Sequence, residues 1–111
     1  MLVIARDKEL RRSIAFLLEA EGFDVSAYES VPSVGGIERR RCAVVDEDAT
    51  VGDSQAWDRL KEISETIVLL LDRTGALPSD PVVRAVEKPF LGQNLVQAVR
   101  DALLQHPGLS T

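Results

Sequence analysis

Three apolar runs, each stopped by charge, constrain this chain more than any other feature of it. Leu2-Val3-Ile4-Ala5 gives way to Arg6-Asp7, Cys42-Ala43-Val44-Val45 to Asp46-Glu47-Asp48, and the run from Thr66 to Leu71 to Asp72. Such runs are strand-sized. A strand that is apolar at every position has no face to show water, so it belongs inside a sheet covered on both sides.

The intervening segments supply the covering helices. Asp7 is placed to cap a helix whose apolar stripe is Leu10, Ile14, Leu17 and Leu18, and Gly22 is placed to stop it. Asp24 to Tyr28 alternates polar and apolar, as a half-buried or edge strand does. Ser30 can cap a weaker element from Val31 to Glu38, made short or irregular by Gly35-Gly36. Asp53 or Ser54 is the expected cap of a helix carrying Trp57, Leu60 and Ile63 on one face. Val82 to Val86 reads as a last strand, and Leu91 to Gln105 as an amphipathic last helix closed by His106-Pro107-Gly108. Strand and helix alternate throughout, which predicts an α/β fold with a doubly wound, five-stranded parallel sheet. Gly75, Pro78 and Pro81 crowd the connection before the last strand, so the fourth helix of that pattern is expected to be shortened or missing.

With 111 residues the chain has room for one domain, expected over 1–106, with 107–111 as a tail or the start of a linker. A net charge of −5 argues against a free-standing nucleic-acid binder, which must neutralise phosphates. Arg39-Arg40-Arg41 is the one basic run, shorter than the usual basic patch. Cys42 is the single cysteine and reads as a buried, inert thiol in a reducing compartment. His106 is the single histidine, which leaves no Cys/His metal cluster. Charges interrupt every apolar stretch before membrane-spanning length, so a cytoplasmic protein is expected.

A doubly wound sheet presents its reactive groups at the carboxyl ends of its strands. Those ends read Ala5-Arg6-Asp7, Asp46-Glu47-Asp48, Leu70-Leu71-Asp72 and Glu87-Lys88-Pro89. They gather carboxylates and one lysine into a crevice, a combination suited to a phosphoryl group or another anion.

Three stretches carry a resemblance to the receiver domain of two-component response regulators. The stretch from Leu10 to Phe23 is similar to the family's first helix and its exit. Cys42-Ala43-Val44-Val45-Asp46 is similar to the strand that bears the acceptor aspartate. Glu87-Lys88-Pro89-Phe90 is similar to the Lys-Pro-Phe signature. The resemblance covers nearly the whole chain and implies a flavodoxin-like receiver fold. It assigns the phosphoacceptor position to Asp46 and the phosphate-pairing position to Lys88.

The departures point to a degenerate receiver, or pseudo-receiver. The family's metal-holding acidic pair is replaced by Ala5 and Arg6, so Mg²⁺ binding is expected to be weak or lost and no cofactor is expected. Asp7 and Asp48 are the residual acidic candidates. The Ser/Thr switch position reads Leu70 or Leu71, and Thr50 stands where a proline is usual. Two readings of Arg6 stay open: a guanidinium in the metal position paired with Asp46 or Asp7, or an arginine in water. Lys88, among carboxylates, reads as an ion-pair partner of Asp46 rather than a base.

The expected function is therefore non-enzymatic signal transduction by protein–protein contact. The partner would be a sensor kinase, an effector domain or a second copy, with a homodimer through the fifth strand and last helix as one form. Apolar residues such as Val83 would be less covered there. Neither nucleic acid nor membrane is expected to bind directly. Two alternatives are a working receiver phosphorylated on Asp46 by a histidine kinase, and a small anion- or ligand-binding α/β module.

Overall fold

The structure, a computed structural model, describes residues 1–32, 39–52, 55–71, 82–88 and 92–105. Among these, the chain runs β1 (Leu2–Ile4), α1 (Lys8–Ala20), β2 (Ser26–Tyr28), β3 (Arg40–Asp46), a 3-10 turn (Glu47–Thr50), α2 (Ala56–Ile63), β4 (Ser64–Leu71), β5 (Val83–Glu87) and α3 (Gly92–Gln105). The five strands form one sheet in the order β2-β1-β3-β4-β5, every neighbouring pair parallel. That is the flavodoxin-like winding, with its switch point between β1 and β3. The expected five-stranded parallel α/β fold is observed.

Alternation along the central strands divides the core in two. Leu2, Ile4, Ala43, Val45, Ile67, Leu69 and Leu71 face α2, where Ala56, Leu60 and Ile63 cover them. Val3, Cys42, Val44, Val68 and Leu70 face α1 and α3, meeting Ile14, Leu18, Leu95, Val99 and Ala102. Because both faces are covered, β3 and β4 need apolar side chains at consecutive positions, and this is the physical content of the apolar runs. Burying each Leu, Ile or Val contributes about 1.5–3 kcal/mol.

The first helix follows its sequence signals closely. The Asp7 carboxylate accepts from the backbone N–H groups of Glu9 and Leu10 at 2.9 and 3.3 Å. At the other end Gly22 N–H donates to Glu19 O and Phe23 N–H to Leu18 O, while Gly22 takes φ 96°. This left-handed glycine closes a Schellman motif, and Phe23 and Leu18 join the same apolar cluster.

Other boundaries differ from the sequence expectation. The N-cap of α2 is Gln55, with no side-chain capping bond, rather than Asp53 or Ser54, which lie outside the described residues. No loop separates α2 from β4: Ser64 caps the helix and begins the strand, and its buried hydroxyl donates to Thr66 O at 2.7 Å. Two polar residues, Ser64 and Glu65, thus extend the strand backward from its apolar run. The last strand spans Val83–Glu87 instead of Val82–Val86. Val83 is half-buried and packs against the α2-side core. The shortened fourth helix falls within 72–81 and most of the weak element after Ser30 within 33–38, both outside the described residues, as are Leu91, Pro89, Phe90 and the tail at 107–111.

Candidate functional site

The winding brings the predicted residues to one end of the sheet. Asp46 ends β3 and pairs in register with Leu70 of β4, and Leu70 pairs with Val86 of β5. Lys88 follows β5, held by its backbone N–H donating to Leu71 O at 2.7 Å. Ala5 follows β1, whose Ile4 is level with Val45.

At the centre stands an ion pair. Lys88 Nζ donates to Asp46 Oδ1 at 2.8 Å. Asp46 is only 2% exposed, with fully buried Ala5 just past β1 on one side and fully buried Leu70 of β4 on the other. A carboxylate among apolar neighbours must be paired to be tolerated, and Lys88 is what pairs it. Asp46 also caps the 3-10 turn, accepting weakly from Asp48 N–H at 3.5 Å on the same oxygen. Asp46 Oδ2 has no hydrogen-bond partner among the described residues.

The other predicted positions are built differently. Arg6 is exposed, and among the described residues its side chain forms no ion pair with Asp46 or Asp7; the water-facing reading of Arg6 is the observed one. It borders a cavity of about 340 Å³ with Glu29, Ser30 and Val51. Asp7 is spent as the α1 cap. The Asp48 side chain is exposed, and this residue serves the site through its backbone N–H. Thr50 donates its hydroxyl to Glu47 O at 2.7 Å, closing the turn after Asp46. Leu70 is core, packed on the α1–α3 side.

Arg11 was missed in the sequence. Its Nη1 donates to Ala5 O at 2.8 Å and reaches Arg6 O at 3.5 Å. A fixed cation therefore occupies the carbonyls at the end of β1. Nothing local marks it, since Arg11 and Arg12 look alike on a helix surface and only the return of α1 over β1 separates them.

These residues do not fit a divalent ion. Mg²⁺ wants near-octahedral oxygen ligands, chiefly carboxylate and water. Here Ala5 offers no side-chain oxygen, Asp7 is turned to the helix, Arg11 holds the β1 carbonyls, and Asp46 Oδ1 is taken by Lys88.

No family model matches the chain. It is 33% identical over 106 residues to the transcriptional regulator protein FixT of Rhizobium meliloti (strain 1021), covering 94% of this chain and 92% of that protein. The chain belongs to the FixT family. The match runs nearly end to end in both proteins, so the likeness covers the whole domain of this FixT-family member. No helix among the described residues is long and apolar enough to cross a membrane.

Proposed function

We propose that this FixT-family chain is a pseudo-receiver of signal transduction, which regulates a partner protein by contact and needs no phosphoryl transfer. The observation that carries this reading is the closed Asp46–Lys88 pair. In-line attack on a phosphodonor needs an exposed carboxylate and a metal to gather charge. Asp46 is 2% exposed and is flanked by Ala5 and Leu70, neither of which carries a ligand atom or a hydroxyl. The ion pair occupies the one carboxylate oxygen that faces Lys88. The relative named as a transcriptional regulator supports a regulatory rather than a catalytic role.

The contact surface proposed is the face made by β5 and α3. β5 is an edge strand with Ala85 exposed, and a groove lined by Arg84, Val86, Asn94, Gln97 and Asp101 runs between it and the helix. A cytoplasmic sensor kinase, an effector domain or a second copy of the chain would dock there.

A second reading, a phosphoacceptor at Asp46, draws on the unpartnered Oδ2. One experiment separates the two. Amide spectra of the labelled protein are recorded with Mg²⁺ and then with beryllofluoride, an acyl-phosphate mimic. The pseudo-receiver leaves peaks near Asp46 and Lys88 in place. Shifts there that spread to β5 and α3 would make Asp46 a working switch and end the proposal.

A further inference from the structure

The opposite end of the sheet carries a second candidate site, independent of Asp46. β3 runs from Arg40 to Asp46, so the two ends lie about 20 Å apart at the usual strand rise. At the amino end is a cavity of about 330 Å³. Its wall is apolar where Met1, Phe23, Cys42 and Leu103 meet. Met1, Phe23 and Leu103 are only partly buried, and they pack at the edge of the α1–α3 core. Its rim is basic: Arg39, Arg40 and Arg41 all line it, against one carboxylate, Asp24.

The arginines carry no ion pair among the described residues. No carboxylate of the described residues lies within ion-pair distance of any of the three. Arg40 is half-buried and oriented, its Nη2 donating to Ser26 Oγ at 3.3 Å, which leaves most of its five donors unused. A chain of net charge −5 thus places Arg39 and Arg40, neither of them ion-paired among the described residues, beside a partly uncovered apolar wall, with Arg41, whose side chain alternates to the other face of β3, at its border. A solvated basic loop would need no such wall. A purely hydrophobic defect would not be ringed with guanidinium groups.

We infer that this cavity binds a small amphipathic organic anion, with its phosphate or carboxylate head on Arg39 and Arg40 and its apolar body against Phe23 and Leu103. The volume lies at the lower end of the range for ligand sites, about 300–1,000 Å³, which suits one ring and its head group. Guanidinium groups bind such heads through paired N–H donors. A nucleic-acid strand is a poorer fit, because the acidic remainder of the surface repels a long polyanion.

The test is an amide-detected NMR titration of the full chain with phenyl phosphate, run beside inorganic phosphate and benzyl alcohol. Phenyl phosphate is expected to shift Phe23, Arg39 to Cys42 and Leu103, with a dissociation constant of about 1 mM, ordinary for a fragment. Each control should bind at least about tenfold more weakly, because each keeps only half of the recognition. Arg40→Ala should weaken phenyl phosphate by about tenfold. Arg39→Ala, at an exposed position outside any strand, gives the same readout should the first variant fail to fold. Absence of shifts at these residues overturns the inference. Equal binding of inorganic phosphate removes the apolar body from the recognition, and equal binding of benzyl alcohol removes the charge; either result also overturns it.

Discussion

Lys88 Nζ stands 2.8 Å from Asp46 Oδ1 although β3, which Asp46 ends, and β5, which Lys88 follows, are not neighbours: β4 lies between them. The lysine follows β5 and must reach back over the end of β4, past two strand spacings of about 4.8 Å each. Only a long, flexible stem can do this, which is a geometric reason for lysine here.

The pair predicts an asymmetric mutant cycle. Lys88→Met strands a carboxylate whose side chain is 3% exposed, and should cost about 3–5 kcal/mol. Asp46→Asn leaves a lysine whose side chain is 20% exposed and can turn toward water, and should cost about 1–2 kcal/mol. Asp46→Leu with Lys88→Met together should lie within about 1 kcal/mol of the native protein. Urea unfolding of the variants reads this directly. Equal costs for the two single changes would mean the pair is effectively solvated.

Arg6 is exposed and unpaired with Asp46, so it blocks no ion. Arg6→Asp should change stability by no more than about 0.5 kcal/mol. It should also leave Mg²⁺ affinity unchanged by titration calorimetry, because Ala5 still lacks an oxygen and Arg11 still holds the β1 carbonyls. A tenfold gain in affinity from this one change would show that the guanidinium does compete with the metal.

Asp7 belongs to the helix. Asp7→Ala removes the acceptor of the Glu9 and Leu10 N–H groups and should cost about 1 kcal/mol, with faster hydrogen exchange at those two amides. Asp7→Ser should recover most of the loss. A role as a cation ligand would instead make serine as poor as alanine in a metal-dependent assay.

The fold was legible because its strands are covered on both faces. Val3, Val44 and Val68 look toward α1 and α3, while Ile4, Val45 and Leu69 look toward α2, so adjacent positions are apolar and the runs stand out. The edges were less legible. Glu65 and Ser64 are polar yet pair in β4, and Gln55 begins α2 with no capping side chain. In the site, the strand ends gathered Asp46 and Lys88 with other charged residues, because register carries such residues to one rim, and the resemblance to receiver domains singled out these two. Arg11 could not be named that way. Its role depends on where a helix lands, which no local pattern encodes.

Cys42 should contribute to the alkaline limb of stability. Burial pushes its thiol up from the ordinary value of 9.0, with the Thr66 hydroxyl working weakly the other way. Below pH 9 both folded and unfolded chains keep the proton, so the thiol has no effect on the balance. Above it the unfolded chain ionises first and the native state binds more protons, so stability falls as pH rises. Cys42→Ala should cost about 1 kcal/mol at neutral pH and flatten that part of the decline. An unchanged alkaline limb in the variant would place its origin elsewhere.

Leu70 offers the sharpest test of whether the site retains a latent switch, since it lies level with Asp46 and fully buried. Leu70→Thr places a hydroxyl one strand away from the carboxylate. It also removes branched hydrocarbon from the core that Val3, Val44, Leu95 and Val99 build around it. Lost packing together with a buried hydroxyl should cost about 2–4 kcal/mol. A hydroxyl alone cannot gather the charge of a phosphoryl group, and Ala5 still provides no carboxylate for a metal. The variant should therefore be less stable and remain silent to beryllofluoride in the amide spectrum. A response in Leu70→Thr that native protein lacks would mean that the hydroxyl was the only missing part, and that the closed Asp46–Lys88 pair opens more readily than its burial indicates.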